Sequence, residues 1–366
     1  MNTSVSMDTV GRVLKKIEQR RRISRDEALM LYSEASLPEL GILANLVRKR
    51  LHPHPVVTYV IDRNINYTNV CVSGCKFCAY FRAPGLDGGY ILNEDEIRKK
   101  IEETLSLGGT QILLQGGLHP DLTIEYYERL FQFIKKNFSL HLHALSPSEV
   151  VHISQISNLT TEEVLKRLKD AGLDSIPGGG AEILVDRVRK IISPRKASAD
   201  QWLRVMEEAH NLGMRTTATM MFGHVETMEE RIEHLERLRM LQDRTGGFTA
   251  FIPWPFQPRN TALSVQESAG DDYLRTLAIS RIFLDNFENI QASWVTQGPK
   301  VAQIALHFGA NDFGSTMIEE NVVAATGVSH RLSEAEIRRL VKEAGFEPRQ
   351  RLMDYTLVGS GRTGAP

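Results

Sequence analysis

This chain of 366 residues has almost no cysteine: three in all, confined to positions 71–78. No second group of thiols exists to pair with them, so a disulfide framework is excluded as the support of the fold. A reducing, cytoplasmic setting is expected. No run of about 18 apolar residues occurs, and no membrane span is expected. An excess of one charge sign is lacking too. Lys and Arg number 44 against 45 Asp and Glu, a net charge of −1, so no bulk attraction to nucleic acid or to an anionic membrane is expected. The opening residues, Met1-Asn2-Thr3-Ser4-Val5, lack the basic-then-apolar layout of a signal peptide. Low-complexity tracts and Ser/Pro-rich linkers are missing. What remains is 42% hydrophobic and 24% charged, the balance of a globular protein with a large core.

Residues 1–55 form an expected helical extension. Val10, Val13, Leu14 and Ile17 recur at helical spacing. Ser24 and Glu27 have the spacing of a capping box for a second helix, and Pro38 starts a third. From Val56 the pattern changes to short β-branched runs alternating with amphipathic helices, which argues for βαβ units on a parallel sheet. Strands are expected at Val56–Ile61, Gln111–Gln115, Leu140–Leu145, Asp174–Ile176, Arg215–Phe222, Gly247–Ile252 and Asn289–Trp294. Capping boxes Asn93/Glu96, Ser198/Gln201, Thr227/Glu230 and Ser333/Glu336 mark helix starts. Six units are clear and eight are expected, over a single domain 56–366 with a C-terminal extension. The fold class is therefore α/β, a TIM-like (βα) barrel, with a doubly wound open sheet as the alternative. Arg281 and Asp285 fall on a helix and are expected at its surface.

The cysteines read Cys71-Val-Ser-Gly-Cys75-Lys-Phe77-Cys78. This C-x3-C-x2-C loop supplies three thiolates, soft ligands suited to an iron–sulfur cluster or zinc. Zinc needs a fourth ligand, and no histidine lies nearby in sequence. In a 4Fe-4S cluster, three thiolates leave one iron open. In a barrel, residues that do chemistry gather at the carboxyl ends of the strands, and each strand end here carries candidates. Asn64 and Asn66 follow the first strand and offer amides to the cluster or a substrate. Gly116 and Gly117 end the second strand and allow backbone to approach a ligand closely; His119 follows as a candidate substrate contact. On the third strand, period two puts His141 and His143 on one face, expected inward as candidate proton acceptors. Gly178-Gly179-Gly180 and then Glu182 suit a ribose or an ammonium group. Thr217 and Thr219 share a face of the fifth strand. Trp254 and Phe256, between prolines, are expected to wall an aromatic or nucleoside substrate.

The three-cysteine motif with an aromatic before its last thiol resembles the signature of radical S-adenosylmethionine enzymes. The resemblance runs over residues 56–330. It includes Asp62-Arg63-Asn64-Ile65-Asn66-Tyr67, Gln115-Gly116-Gly117-Leu118-His119-Pro120 and Ile176-Pro177-Gly178-Gly179-Gly180-Ala181-Glu182. It implies a 4Fe-4S cluster, S-adenosylmethionine as the second cofactor, and an external electron donor. Phe77, Tyr80, Gly116, Gly117, Ser146, Glu182 and Gly223 become expected cofactor contacts. One departure stands out: the family's Gly-Gly-Glu-like segment reads Gly116-Gly117-Leu118 here, without the acid. The closest likeness is to the subgroup serving the futalosine route to menaquinone and deazaflavin formation. It implies a small-molecule nucleoside–benzoate substrate, with hydrogen taken from ribose C4′ and the sugar radical attacking the benzoate ring.

Overall fold

The computed structural model describes residues 3–359. Three helices come first: α1 (Thr3–Glu18), α2 (Arg25–Glu34) and α3 (Leu37–Leu51). Then β1 (Val56–Val60) runs through Asp62 and Arg63 into β2 (Asn64–Asn66). The rhythm continues with β3 (Gln111–Gln115), β4 (His141–Ala144), β5 (Ser175–Ile176), β6 (Arg215–Phe222), β7 (Phe248–Pro255), β8 (Asn289–Ile290), β9 (Asp312–Ser315) and β10 (Glu347–Gln350). The helices between are α4 (Glu94–Ser106), α5 (Ile124–Asn137), α6 (Pro147–Ile156), α7 (Thr161–Ala171), α8 (Asp186–Ile192), α9 (Ala199–Asn211), α10 (Met228–Thr245), α11 (Gly270–Phe283), α12 (Trp294–Ala305) and α13 (Glu334–Glu343).

All pairings between named strands are parallel, with β2 to β8 adjacent in chain order and β1 between β9 and β10. The two sheets join into a ring. Asn311 N–H donates to Ile290 O at 3.1 Å and Ala292 N–H to Asp312 O at 2.8 Å, tying β8 to β9. Leu113 N–H donates to Arg63 O at 2.9 Å, tying β3 to the β1–β2 line. Counting β1 and β2 as one line, with β3 to β9 as seven more, the barrel has eight strand positions. Strand β10 is an addition, laid against the lower part of β1.

Local chemistry explains the helix starts. All five predicted capping boxes form, at Ser24, Asn93, Ser198, Thr227 and Ser333. Each satisfies two otherwise orphan N–H groups reciprocally. The apolar core is continuous from Val13 to Val341, so the first three helices share it. They are also pinned by buried polar contacts: Arg48 Nε donates to Ala310 O at 2.9 Å, and Arg231 Nη1 to the Tyr32 hydroxyl at 3.0 Å. Arg281 corrects the surface expectation. It is fully buried, donating to Gly309 O at 2.8 Å and to Asn311 Oδ1 at 2.6 Å. There it satisfies carbonyls at the turn into β9. Among the described residues, no helix is long and apolar enough to cross a membrane.

Candidate active site

Alternate residues of successive strands face the lumen, as the two-residue period requires. Val60, Asp62 and Asn64 do so from β1–β2; Gln111, Leu113 and Gln115 from β3; Thr217 and Thr219 from β6; Ile252 and Trp254 from β7. Together with Gly178–Gly180, Glu182 and Arg351, they line a cavity of about 300 Å³. The cysteine loop follows β2, at the carboxyl end of the barrel.

One backbone contact closes the loop on itself and a second ties it to the segment that follows β3. Cys71 N–H donates to Arg82 O at 2.9 Å, and Val72 N–H to Leu118 O at 3.0 Å. Gly117 makes the approach possible, because a Cβ there would lie 2.2 Å from Val70 O and 2.9 Å from Cys71 Cβ. Cys75 is buried; Cys71 and Cys78 are half-buried. Donors face the sulfurs: the Ser73 hydroxyl is 3.0 Å from Cys75 Sγ, and Ser73 N–H is 3.4 Å from Cys71 Sγ. Such hydrogen bonds stabilise thiolate and cluster sulfur. Among the described residues, no three His, Cys, Asp or Glu side chains converge to grip one metal ion. Thiolates at separate corners of a larger cluster need no such point of convergence, and three thiols from one loop suit a 4Fe-4S cluster with one iron left open.

Glu182 follows the glycine run at φ +41 and is buried. Lys196 Nζ lies 2.9 Å from its Oε1 and Arg189 Nη1 3.4 Å from its Oε2. Burial pushes its carboxyl upward, but Lys196 and Arg189 outweigh that and hold it low and charged. The same Lys196 ammonium lies 5.1 Å from the centre of the Phe77 ring, so one cation links the cysteine loop to the glycine-run carboxylate.

Other predicted residues land less centrally. His143 lines the cavity, but His141 does not. Both share the Ser175 hydroxyl at 2.6 Å, with His141 at the amino end of β4. Burial pushes His143 well below the ordinary histidine range, with His141 and Arg351 adding to the effect. Trp254 lines the cavity; Phe256 is buried beside His224, outside it. His119 is also outside, on a shallow surface depression, where its Nδ1 accepts from Asp121 N–H at 3.1 Å. The Ser146 hydroxyl caps α6 by accepting from Glu149 N–H. Thr217 and Thr219 bond Gly178, one accepting from its N–H and one donating to its carbonyl. Asn66 is buried at the rim between Gln115 O and Asn321 Nδ2. Tyr80 shares a short hydroxyl contact with Tyr90. Gly223 has φ +85, and its N–H donates to Glu226 Oε1 at 2.6 Å.

Three residues that sequence reasoning missed stand out: Glu149, Asp62 and Arg351. Glu149 is fully enclosed, accepting from Tyr67 Oη at 2.8 Å and from Gly116 N–H at 3.0 Å. Burial pushes its carboxyl up to about 7. Its signal was legible in Ser146-Pro147-Ser148-Glu149, a helix start with an acid at the third position. Arg351 binds Asp312 through Nε and Nη2 at the cavity floor. It directly follows β10, and no local pattern marks it.

Comparison with known proteins places this geometry. Residues 65–238 match the model of the radical SAM superfamily, and residues 245–362 match the CofH/MqnC C-terminal region. A cyclic dehypoxanthine futalosine synthase of Halalkalibacterium halodurans is 47% identical over 352 residues, 96% of this chain and 95% of that protein. The chain belongs to the radical SAM superfamily. A cyclic dehypoxanthine futalosine synthase of Streptomyces coelicolor is 50% identical over 91% of this chain and 85% of its own length. Among solved structures, methylornithine synthase superposes with a TM-score of 0.72 at 18% identity, over 92% of this chain and 97% of that one. At that identity the likeness speaks for the fold, a radical SAM barrel. Membership in the superfamily implies an iron–sulfur cluster and S-adenosylmethionine, and the three cysteines of the thiol loop are there to hold the cluster.

Proposed function

We propose that this radical SAM protein closes the ring of dehypoxanthine futalosine, giving cyclic dehypoxanthine futalosine in the futalosine route to menaquinone. The observation that carries this reading is the 47% identity over 96% of the chain to a cyclic dehypoxanthine futalosine synthase. Cys71, Cys75 and Cys78 would hold the cluster. Bound there with S-adenosylmethionine and fed by an external electron donor, a 4Fe-4S cluster supplies a 5′-deoxyadenosyl radical.

The chain's own residues then have distinct tasks. Gly116 and Gly117 keep backbone close to the thiol loop, and Glu149 fixes that backbone through Gly116 N–H. This buried carboxylate reaches the glycine pair from α6, where the family places an acid directly after it. Glu182, kept charged by Lys196 and Arg189, offers fixed acceptors for ribose hydroxyls or an ammonium group. Trp254 presents an aromatic wall to the benzoate. The barrel lumen keeps water from a carbon radical. Hydrogen leaves ribose C4′, and the sugar carbon bonds to the benzoate ring. The free thiols and the absence of a membrane-crossing helix among the described residues accord with work in a reducing cytoplasm.

The test is product analysis under anaerobic conditions with dehypoxanthine futalosine, reductant and S-adenosylmethionine. A cyclised product two hydrogens lighter than the substrate should appear together with 5′-deoxyadenosine. Release of 5′-deoxyadenosine without that product would sink the assignment and favour a sister enzyme such as aminofutalosine synthase.

A further inference from the structure

Ring closure leaves one proton without an acceptor. Resting on the reaction above, we propose that Asp62 takes the proton lost from the benzoate ring as it regains aromaticity. Asp62 sits where β1 turns into β2, is 4% exposed and lines the cavity. Its Oδ2 accepts from Gln111 Nε2 at 2.7 Å and its Oδ1 from the Ser315 hydroxyl. Both of these partners are neutral, and the nearby Arg351 guanidinium, which favours the charged carboxylate, is itself bound to Asp312. The adjacent Gln111 side chain is turned by that bond, and its Oε1 is buried without a partner in the same wall. The site therefore offers unspent acceptor capacity to a ligand.

The competing groups are weaker acceptors. Glu182 is neutralised by Lys196 and Arg189. Glu320, at the cavity edge, already accepts from Asn64 Nδ2 and from the N–H groups of Val322 and Val323, so its oxygens are engaged. His143 is held neutral and poorly basic by burial. For Asp62, burial raises the carboxyl, with Asp312 adding to the rise, and together they outweigh the lowering by Ser315, Gln111 and Arg351, which makes it the stronger base.

The C–H bond at the newly substituted ring carbon breaks, and its proton passes to an Asp62 oxygen. Of the three electrons in that bond and the ring radical, two complete the aromatic system. One leaves to a one-electron acceptor of the iron–sulfur class.

The experiment compares anaerobically reconstituted wild type, Asp62→Asn and Glu320→Gln. For Asp62→Asn, 5′-deoxyadenosine should form within about threefold of wild type. The cyclised product should fall by about 100-fold or more, and an organic radical should accumulate in freeze-quenched EPR spectra. Calorimetry with the cluster-free protein should show substrate affinity within about threefold, as expected of a group that acts on the proton and not on binding. Glu320→Gln should lower product by less than about tenfold. Product from Asp62→Asn within tenfold of wild type would overturn the assignment. So would joint loss of 5′-deoxyadenosine and substrate binding, or a block at the same step in Glu320→Gln. If Asp62→Asn does not fold, Asp62→Ala is assayed with added formate: concentration-dependent recovery of product supports the proposal, and no recovery overturns it. A wild-type enzyme that makes no cyclised product refutes the ring-closing reading instead.

Discussion

Gly117→Ala tests the link between the barrel and the thiol loop. The added Cβ would stand 2.2 Å from Val70 O, 2.7 Å from Val70 C and 2.9 Å from Cys71 Cβ. Two of these three atoms are backbone, so no flexible side chain can yield. Restoring ordinary contact at about 3.4 Å requires the loop bearing Cys71 to move by roughly 1 Å. Overpacking of this kind costs about 1–3 kcal/mol. Val72 N–H to Leu118 O ties the loop to the segment that carries Gly117, and Cys71 N–H to Arg82 O braces the loop internally. The strain must therefore appear in the thiol geometry. We expect iron and sulfide after anaerobic reconstitution to fall well below about four per chain, with the melting temperature lowered by a few degrees. Gly11→Ala is the control: nothing lies within 4 Å of its Cβ, and on a helix the change should stabilise by about 0.5–1 kcal/mol. Full cluster content in Gly117→Ala would refute the packing argument.

Three further outcomes follow from particular contacts. Trp254→Ala removes an aromatic face from the cavity; a loss of about 1–2 kcal/mol raises KM roughly 5- to 30-fold, whereas Phe256→Leu should lower stability in urea and leave KM nearly unchanged. Arg351→Met strands the buried Asp312 carboxylate and should cost about 3–5 kcal/mol in denaturant unfolding; an unchanged midpoint would contradict the pairing. Glu149 is a carboxyl raised by burial from 4.5 to about 7, so between those values the folded state binds more protons than the unfolded one. Its contribution to stability is then full below about pH 4.5, declines as pH rises toward about 7, and stays lost above it. Glu149→Gln should flatten this fall in unfolding experiments across that window.

Much of this architecture was legible in the sequence because its signals are local. Five capping boxes fixed helix starts, and the apolar run Gln111–Gln115 marked β3 to the residue. Signals depending on a neighbour were not legible. β7 runs to Pro255, past the expected end at Ile252. Prolines are tolerated there because β8 stops at Ile290, leaving the outer edge of β7 without a partner strand to supply. Helices α6 and α8 were missed since both are short and stabilised by tertiary contacts, as with Arg189 reaching Ala181 O and Ala197 O. The candidate site divides the same way. The cysteine loop, the glycine turns and Glu182 announce themselves by spacing. Asp62, Glu149 and Arg351 matter through partners between 33 and 253 residues away, distances that no window on one sequence spans. His141, His119 and Phe256 carried suggestive chemistry, but the fold does not bring them to the cavity wall.

The central claim is that this barrel directs a cluster-derived radical at ribose C4′ and closes a carbon–carbon bond to the benzoate. Its most direct test is the wild-type enzyme turned over with dehypoxanthine futalosine carrying deuterium at C4′. One deuterium should appear in the released 5′-deoxyadenosine, with C4′ free of label and joined to the ring in a product that has lost that deuterium and one ring hydrogen. Undeuterated 5′-deoxyadenosine, or deuterium transfer with no cyclised product, would contradict it.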